Sequence, residues 1–339
     1  MDRKGNICAI IGGGAWGTAL AAHLAAPGRP VRLWVLEDEL VEWIHSRREN
    51  PLYLPGVHLP ESMHATSDLG EALDGAELVL SVVPTQYSRR ILEQARPVLP
   101  AGCPIVLANK GIEQDTFKLP LEIAEETLGP QANLAVLSGP SFAGEVARGR
   151  PAALVAAARN EDLARSIQET VSSPRLRVYR NTDPAGVQVA GALKNVIAIA
   201  AGAADGLELG LNTQAAVITR GLAEMTRLGT ALGGRMETFS GLAGLGDLVL
   251  TCTGPSSRNR AVGRELGKGR RLADILAGTR AVAEGVATAR SARQLAERER
   301  VEAPIVEEVC RILFEDGSPL EALERLMARP LTAEETLQG

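Results

Sequence analysis

Short, almost wholly apolar runs alternate with amphipathic segments from the start of the chain to about position 182. This alternation predicts strands covered by helices. Runs that are apolar throughout are typical of strands buried on both faces, which occur in parallel sheets. We therefore predict an α/β domain with a doubly wound sheet, and some antiparallel pairing after position 134. The predicted strands lie at 7–11, 31–35, 77–83, 104–109, 134–138, 152–157 and 175–180.

Beyond position 182 the strand pattern gives way to helical periodicity, which continues to about position 329. Asp183 is a residue type that caps helices, and Pro184 suits the first helical position, where its missing N–H costs nothing. The helix that starts there is predicted to run to about Gly202. The sequence thus predicts two domains, at 1–182 and 183–339, the second of them all-helical.

Composition narrows the class of protein further. A chain of 339 residues exceeds the usual size of one core, so two domains and a cleft are expected. Aromatic residues make up 3% of the chain and the net charge is -5, which argues against a nucleic-acid partner. Four separated cysteines without a C-x-x-C pair indicate a reducing, cytoplasmic location and no metal site. Charged residues or glycine-rich turns interrupt the apolar stretches, so we expect a soluble protein without a membrane span.

A glycine-rich turn follows the first predicted strand. Gly12, Gly14 and Gly17 have the G-x-G-x-x-G spacing and lead into a run of helix-forming residues. In a Rossmann-type fold these glycines allow a tight turn, close approach of a pyrophosphate, and close packing of helix on strand. The helix N-terminus then attracts the pyrophosphate through its free N–H groups. The alternative is a structural turn that binds no ligand.

An acidic residue stands where such folds bind the adenosine ribose. Glu37 follows the glycine motif at the spacing typical of that acid, at the end of the second predicted strand. A carboxylate there would repel the 2'-phosphate of NADP, although Arg32 and Arg47 could in principle attract it. The position therefore favours NAD over NADP, with a solvated loop charge as the alternative reading of Glu37.

A single lysine lies in a helix that is apolar nearly all round. Lys194 is either a side chain that reaches from the core edge to water or a group held in a partly dry site with a lowered pKa. Reduction of a ketone needs a proton donor, and the last of the four histidines in the chain is His64, well before the later strands. Lysine is thus the better candidate donor. Asp247, an acid among glycines and apolar residues, is a plausible partner, unless it only caps a helix.

Two further segments contain candidate site residues, one in the cleft and one at a helix start. Ligands of doubly wound sheets bind beyond the carboxyl ends of the strands, and Lys110 follows the fourth predicted strand, although an exposed surface lysine is the alternative. Ser256 or Ser257 can cap a helix in whose first turn Arg258 and Arg260 would oppose the helix dipole. A substrate phosphate would satisfy both the arginines and the free N–H groups. Pairing with Glu265 or another surface acid is the competing explanation.

Taken together, these segments resemble the bacterial-type NAD(P)-dependent glycerol-3-phosphate dehydrogenases from position 7 to about position 329. The resemblance rests on several motifs in order, namely GGGAWGTALA at 12–21, NKG at 109–111, SGPSFAGE at 138–145, GVQVAGALKNVIAIAAG at 186–202, GLAGLGDLVLTCT at 241–253 and SSRNR at 256–260. It implies hydride exchange between NAD(P)H and dihydroxyacetone phosphate, which yields sn-glycerol 3-phosphate for phospholipid synthesis.

The resemblance also implies roles for particular residues. Lys194 would donate and accept the proton, while Lys110 and Asp247 would orient the substrate. The substrate-binding residues would be Lys110, Gly139, Ser141, Lys194, Asp247, Ser257, Arg258 and Asn259. The cofactor-binding residues would be Gly12, Gly14, Ala15, Trp16, Gly17, Glu37, Lys110, Ala143, Arg258, Val282 and Glu284. Leu36 stands where family members often carry a residue that meets the 2'-phosphate, which again favours NAD.

Two rival hypotheses about the function remain. One is another two-domain dehydrogenase that acts on a hydroxy acid or sugar acid, and the other is a dinucleotide-sensing protein that has lost its chemistry. The presence of both Lys194 and Asp247 argues against the second. A homodimer is a reasonable expectation from the resemblance.

Overall fold

The computed structural model describes residues 7–277, 283–331 and 333. Among these residues, eight strands form one sheet in the order β3-β2-β1-β4-β5-β6-β7-β8. Neighbouring strands are parallel except β6 and β7, which are antiparallel. The strands are β1 Cys8–Ile11, β2 Val31–Trp34, β3 Met63–Thr66, β4 Leu78–Ser81, β5 Ile105–Leu107, β6 Leu134–Ser138, β7 Ala152–Ala157 and β8 Leu176–Asn181. The predicted doubly wound sheet, with antiparallel pairing after position 134, is confirmed.

Strand β3 is absent from the sequence prediction. Its sequence, MHAT, pairs only with β2 at the edge of the sheet, and His64 within it is exposed. An edge strand with a polar, exposed residue gives no continuous apolar run, which is the signal that predicts the other strands.

Helices flank the sheet and then make up the rest of the described chain. Those before Pro184 are α1 Ala15–Ala25, α2 Asp38–Arg47, α3 Leu69–Leu73, α4 Thr85–Ala95, α5 Pro120–Leu128, α6 Ala143–Ala147 and α7 Glu161–Val171. Those from Pro184 onwards are α8 Pro184–Gly206, α9 Gly210–Ala231, α10 Met236–Phe239, α11 Asp247–Thr253, α12 Arg258–Gly267, α13 Leu272–Ala277, α14 Glu284–Glu299, α15 Pro304–Phe314 and α16 Pro319–Met327. Short 3-10 and π-helical turns lie at Arg96–Val98 and Leu242–Gly246.

The chain divides into two compact units, and the division is not a single cut. The sheet unit contains the described residues up to Asn109 together with Pro120–Pro184. The helical unit contains Lys110–Leu119 and the described residues from Ala185 onwards. Ile112 and Leu119 belong to the hydrophobic core of the helical unit, which explains why this segment packs with it. The sequence-based division at 182/183 stays a prediction, and the sequence pattern gives no sign of the excursion at 110–119.

Helix α8 is the central element of the helical unit. It starts at Pro184, as predicted, and continues to Gly206, one turn beyond the predicted end. Among the described helices it is long and apolar enough to cross a membrane, but 94% of its most apolar window is buried within the protein. Burial of that kind is typical of a core helix in a globular unit.

Helices α8 and α12 approach each other so closely that their backbones touch. A Cβ atom added to Gly202 would overlap the carbonyl oxygen of Arg260. One added to Gly263 would overlap the carbonyl oxygen of Ile199. Only glycine therefore permits this crossing, which fixes α12 against the second half of α8.

This packing predicts that Gly263→Ala destabilises the protein by about 1–3 kcal/mol, because the added methyl group must push two backbones apart. The clash should outweigh the gain of about 1 kcal/mol in helix propensity. Urea unfolding provides the measurement. The control is Ala261→Leu at an exposed position of α12, which should change stability by less than about 0.5 kcal/mol. A more stable Gly263→Ala protein would contradict the proposed contact.

Candidate active site

A carboxylate in the helical unit is shared by two ammonium groups. Oδ1 of Asp247 lies 2.6 Å from Nζ of Lys194, and Oδ2 of Asp247 lies 2.6 Å from Nζ of Lys110. Lys194 also donates to Oγ1 of Thr251 at 2.8 Å. The structure thus brings together the three residues that sequence reasoning proposes for catalysis and adds Thr251 to them.

Local sequence explains why these side chains meet. Lys194 lies on a helix whose neighbouring residues Leu193, Val196 and Ile197 are fully buried, so its ammonium group has little access to water. Asp247 is the first residue of α11, and a π-helical turn of the sequence LAGLG precedes it. The hydroxyl of Thr251, one helical turn further, donates to the Asp247 carbonyl at 2.6 Å and thereby presents its lone pairs to Lys194.

Burial and the neighbouring charges together shift the pKa values of Lys194 and Asp247. Burial, reinforced by the charge of Lys110, lowers the pKa of Lys194 to about 8, although Asp247 opposes the shift. Burial alone would raise the pKa of Asp247, but the two lysines outweigh it and hold the pKa below its ordinary value. The three side chains carry a net positive charge when both lysines are protonated, which suits a substrate that is anionic or develops negative charge.

A second polar network continues from the residue after Lys194. Asn259 donates from Nδ2 to Oδ1 of Asn195 at 2.9 Å, and its own Oδ1 accepts from the N–H of Gly285 at 3.0 Å. These bonds join α8, the first turn of α12 and the start of α14. Sequence reasoning misses Asn195, for which the only signal is a polar residue next to Lys194 in a largely apolar helix.

The start of α12 has the cap that the sequence predicts. Oγ of Ser257 accepts from the N–H of Arg260 at 3.2 Å. Arg260 pairs with Asp205 at 3.1 Å, whereas Glu265 pairs with Lys268 and Arg270. Pairing with Glu265, the first form of the competing explanation, is therefore wrong, whereas pairing with another surface acid is confirmed for Arg260, whose partner is Asp205.

Arg258 lies exposed at the first position of α12. Within residues 7–277, 283–331 and 333 no ion pair is formed by its guanidinium group. A helix N-terminus that carries this cation is well suited to bind an anion.

In the sheet unit, the glycine-rich turn has the conformation that dinucleotide binding requires. Gly12 has φ of +120°, and a Cβ atom on Gly17 would overlap the Gly12 carbonyl oxygen. Apart from its chain neighbours, no residue has an atom within 4 Å of a Cβ built on Gly14, which immediately precedes α1. Trp16, in the first turn, has a buried Nε1 without a hydrogen-bond partner among the described residues. A pyrophosphate and its dinucleotide fit this turn.

Glu37 precedes α2 at the end of the second strand, and its side chain is held in place. The hydroxyl of Tyr53 donates to Oε1 of Glu37 at 2.6 Å. The neighbouring Leu36 is 70% exposed. A fixed carboxylate beside an apolar residue offers acceptors for ribose hydroxyls and no cation for a 2'-phosphate.

The two arginines considered for that phosphate have other contacts. Arg32 donates to the backbone carbonyl of Glu71 at 2.8 Å. The guanidinium of Arg47 lies over the ring of Trp43, 5.9 Å from its centroid. Both guanidinium groups are therefore engaged in contacts within the sheet unit.

The remaining predicted site residues lie on turns or at helix starts. Gly139 has φ of +128° and its carbonyl accepts from Oγ of Ser141 at 3.0 Å. Ala15, Ala143 and Glu284 are the first residues of α1, α6 and α14. Val282 lies outside the described residues.

The four cysteines form no disulfide bond in the described chain. All four are free, and Cys8, Cys252 and Cys310 are buried. Over the same described residues, no three His, Cys, Asp or Glu side chains are grouped in a way that could hold a metal ion.

A doubly wound sheet with a dinucleotide turn, followed by a helical unit with a buried lysine–aspartate pair, defines a two-domain dehydrogenase. Family models described as the N-terminus and the C-terminus of NAD-dependent glycerol-3-phosphate dehydrogenase match residues 7–164 and 183–324. The chain therefore belongs to the NAD-dependent glycerol-3-phosphate dehydrogenase family.

Individual relatives agree with this assignment. The chain is 54% identical over 330 residues to a glycerol-3-phosphate dehydrogenase (NAD(P)+) of Koribacter versatilis, covering 96% of this chain and 98% of that protein. It is 53% identical over 328 residues to one of Citrifermentans bemidjiense, with the same coverage. A crystal structure of glycerol-3-phosphate dehydrogenase from Coxiella burnetii has a TM-score of 0.93 at 40% identity, over 97% of this chain and 100% of that chain.

The geometry at Asp247 predicts that Asp247→Ala costs about 3–5 kcal/mol of stability, because the buried ammonium group of Lys194 and the partly buried one of Lys110 lose their counterion. Thermal and urea unfolding would measure the loss. The exposed Asp205, which pairs with Arg260, offers a control, and Asp205→Ala should cost no more than about 1 kcal/mol. Equal losses in the two variants would show that Asp247 is not a central counterion.

Proposed function

We propose that this enzyme exchanges a hydride between NAD(P)H and the central carbonyl carbon of dihydroxyacetone phosphate, with sn-glycerol 3-phosphate as the product. The observation that carries the proposal is the buried ammonium of Lys194, held 2.6 Å from Asp247 and 2.8 Å from Thr251. A reacting ketone requires such a positioned proton donor. The names of the relatives supply the substrate class.

The chemistry divides between the cofactor and the protein. The dinucleotide supplies the hydride when bound. Lys194 gives a proton from Nζ to the substrate oxygen as negative charge develops there, and in the reverse direction its neutral amine takes that proton. Asp247 holds the donor in place, and Lys110 on the other carboxylate oxygen adds positive charge that stabilises the developing alkoxide.

The substrate phosphate is assigned to the start of α12. Ser257, Arg258 and Asn259 combine free helix N–H groups, an exposed guanidinium and an amide, and charge-assisted hydrogen bonds are the strong ones. Asn259 would use its second amide N–H, since its other hydrogen bonds join it to Asn195 and Gly285. From the sheet unit, Gly139 and Ser141 are proposed to line the substrate.

The cofactor is assigned to the glycine-rich turn, with Gly12, Gly14 and Gly17 around the pyrophosphate and Glu37 on the adenosine ribose. The further cofactor residues are Ala15, Trp16, Lys110, Ala143, Arg258, Val282 and Glu284. The enzyme uses NAD or NADP, and Glu37 beside Leu36 favours NAD. We further propose a cytoplasmic homodimer that supplies glycerol 3-phosphate for phospholipid synthesis, with neither membrane nor nucleic acid as a partner.

The decisive assay follows absorbance of the reduced dinucleotide with dihydroxyacetone phosphate, once with NADH and once with NADPH. Lys194→Met should lower kcat by about 10² to 10⁴ fold, because the proton donor is lost while an apolar chain of similar length remains. NADH binding should be retained. The control is Lys268→Met, a partly exposed lysine paired with Glu265, which should keep full activity. Near-normal turnover of Lys194→Met would overturn the assignment of the donor.

The lowered pKa of Lys194 predicts opposite pH dependence for the two directions. Ketone reduction requires the protonated amine, so its rate should fall as pH rises through about 8. Oxidation of glycerol 3-phosphate requires the neutral amine and should rise over the same interval. Initial rates in both directions from pH 6 to 10 would provide the test. A reduction rate that stays level up to pH 10 would contradict Lys194 as the titrating donor.

A further inference from the structure

A buried asparagine outside the glycine motif is bonded directly to it. Asn50 is completely inaccessible to solvent, and its Nδ2 donates to the carbonyl oxygen of Gly13 at 2.8 Å. The same nitrogen donates to Oγ1 of Thr18 at 2.7 Å, and Thr18 in turn donates to the Gly13 carbonyl at 3.1 Å. One carbonyl of the turn is thus fixed by two buried donors.

Fixing this carbonyl also fixes an N–H group of the turn. The oxygen of Gly13 and the N–H of Gly14 belong to the same peptide plane, and in a trans peptide they point in opposite directions. No peptide in the described chain is cis. Because the Gly13 oxygen points inward to Asn50 and Thr18, the N–H of Gly14 points away from them. A Cβ built on Gly14 would have no atom within 4 Å, so there is open space beside this residue.

The side-chain oxygen and the main-chain carbonyl of Asn50 order the loop that follows it in the same unit. Its Oδ1 accepts from the backbone N–H of Tyr53 at 3.0 Å, and its carbonyl accepts from the N–H of Leu54 at 2.9 Å. These bonds shape the loop that carries the Tyr53 hydroxyl to Glu37. Asn50 therefore connects the glycine-rich turn with the loop that supports the carboxylate at the end of β2.

We propose that Asn50, acting with Thr18, is a positioning residue for dinucleotide binding, which aims the Gly14 N–H at the pyrophosphate. The proposal rests on the dinucleotide site of the proposed function. Asn50 touches no ligand itself, since it is wholly buried. Its loss should weaken affinity for both NADH and NADPH and leave the proton chemistry of Lys194 unchanged.

The sharpest variant is Asn50→Asp, because it keeps the oxygen that accepts from Tyr53 and removes the donor to Gly13. We expect its Kd for NADH, measured by fluorescence titration without substrate, to rise about tenfold or more, because the hydrogen bonds to the Gly13 carbonyl and to the Thr18 hydroxyl are lost. The KM for NADH should rise in parallel, with kcat at saturating NADH and the KM for dihydroxyacetone phosphate within about twofold of wild type. The matched control is Asn160→Asp, at the exposed cap of α7, which should bind NADH normally.

If Asn50→Asp fails to fold, variants of Thr18 test the same proposal independently. Thr18→Val keeps the shape and removes the hydroxyl, so NADH affinity should fall several-fold, whereas Thr18→Ser keeps the hydroxyl and should restore affinity. Folded Asn50→Asp with wild-type affinity would overturn the proposal. Loss of kcat at unchanged Kd would also overturn it, and so would equal binding by Thr18→Val and Thr18→Ser.

The same measurements separate this proposal from the proposed function. Wild-type protein that binds NADH but does not oxidise it with dihydroxyacetone phosphate would contradict the proposed reaction. The Kd values of the variants for NADH would then still decide the role of Asn50. Normal wild-type turnover together with unaffected Asn50→Asp would contradict the role of Asn50 alone. Wild-type protein that binds neither dinucleotide would overturn both.

Discussion

The polar centre of the helical unit depends on one carboxylate that serves two ammonium groups. Without Asp247, Lys110 and Lys194 would be two like charges in a place with little water, and the desolvation cost would be uncompensated. With it, Lys194 is charged enough to give a proton and buried enough to release it near neutral pH. Stability and reactivity thus arise from the same three side chains.

The surrounding helices can hold this centre because their backbones pack at glycines. The close crossing of α8 and α12 at Gly202 and Gly263 brings the two backbones into contact. It also places the first turn of α12 beside Asn195 of α8. The amides of Asn195 and Asn259 then bridge the helices by hydrogen bonds. In an apolar core, polar groups that are fully paired specify one arrangement, whereas unpaired groups would favour others.

Much of the fold and of the candidate site can be predicted from the sequence, because the patterns that indicate them are local. Apolar runs predict the sheet, glycine spacing predicts the dinucleotide turn, and a lone lysine in an apolar helix marks Lys194. The edge strand β3 escapes prediction because it lacks an apolar run. Thr251 and Asn195 escape it because their importance lies in partners on other helices, far away along the chain, which no local pattern reveals. The same limit applies to Asn50, whose contacts with the turn join distant parts of the sheet unit.

The excursion of Lys110–Leu119 into the helical unit has a consequence for the two halves of the gene. A fragment that begins at Asp183 would contain Asp247 and Lys194 but would lack Lys110 and the apolar side chains of Ile112 and Leu119. Such a fragment would have an incomplete core and a carboxylate with one counterion instead of two. The helical half is therefore not a self-sufficient module that could be exchanged between dehydrogenases by fusion at position 183, since part of its interior is encoded within the other half.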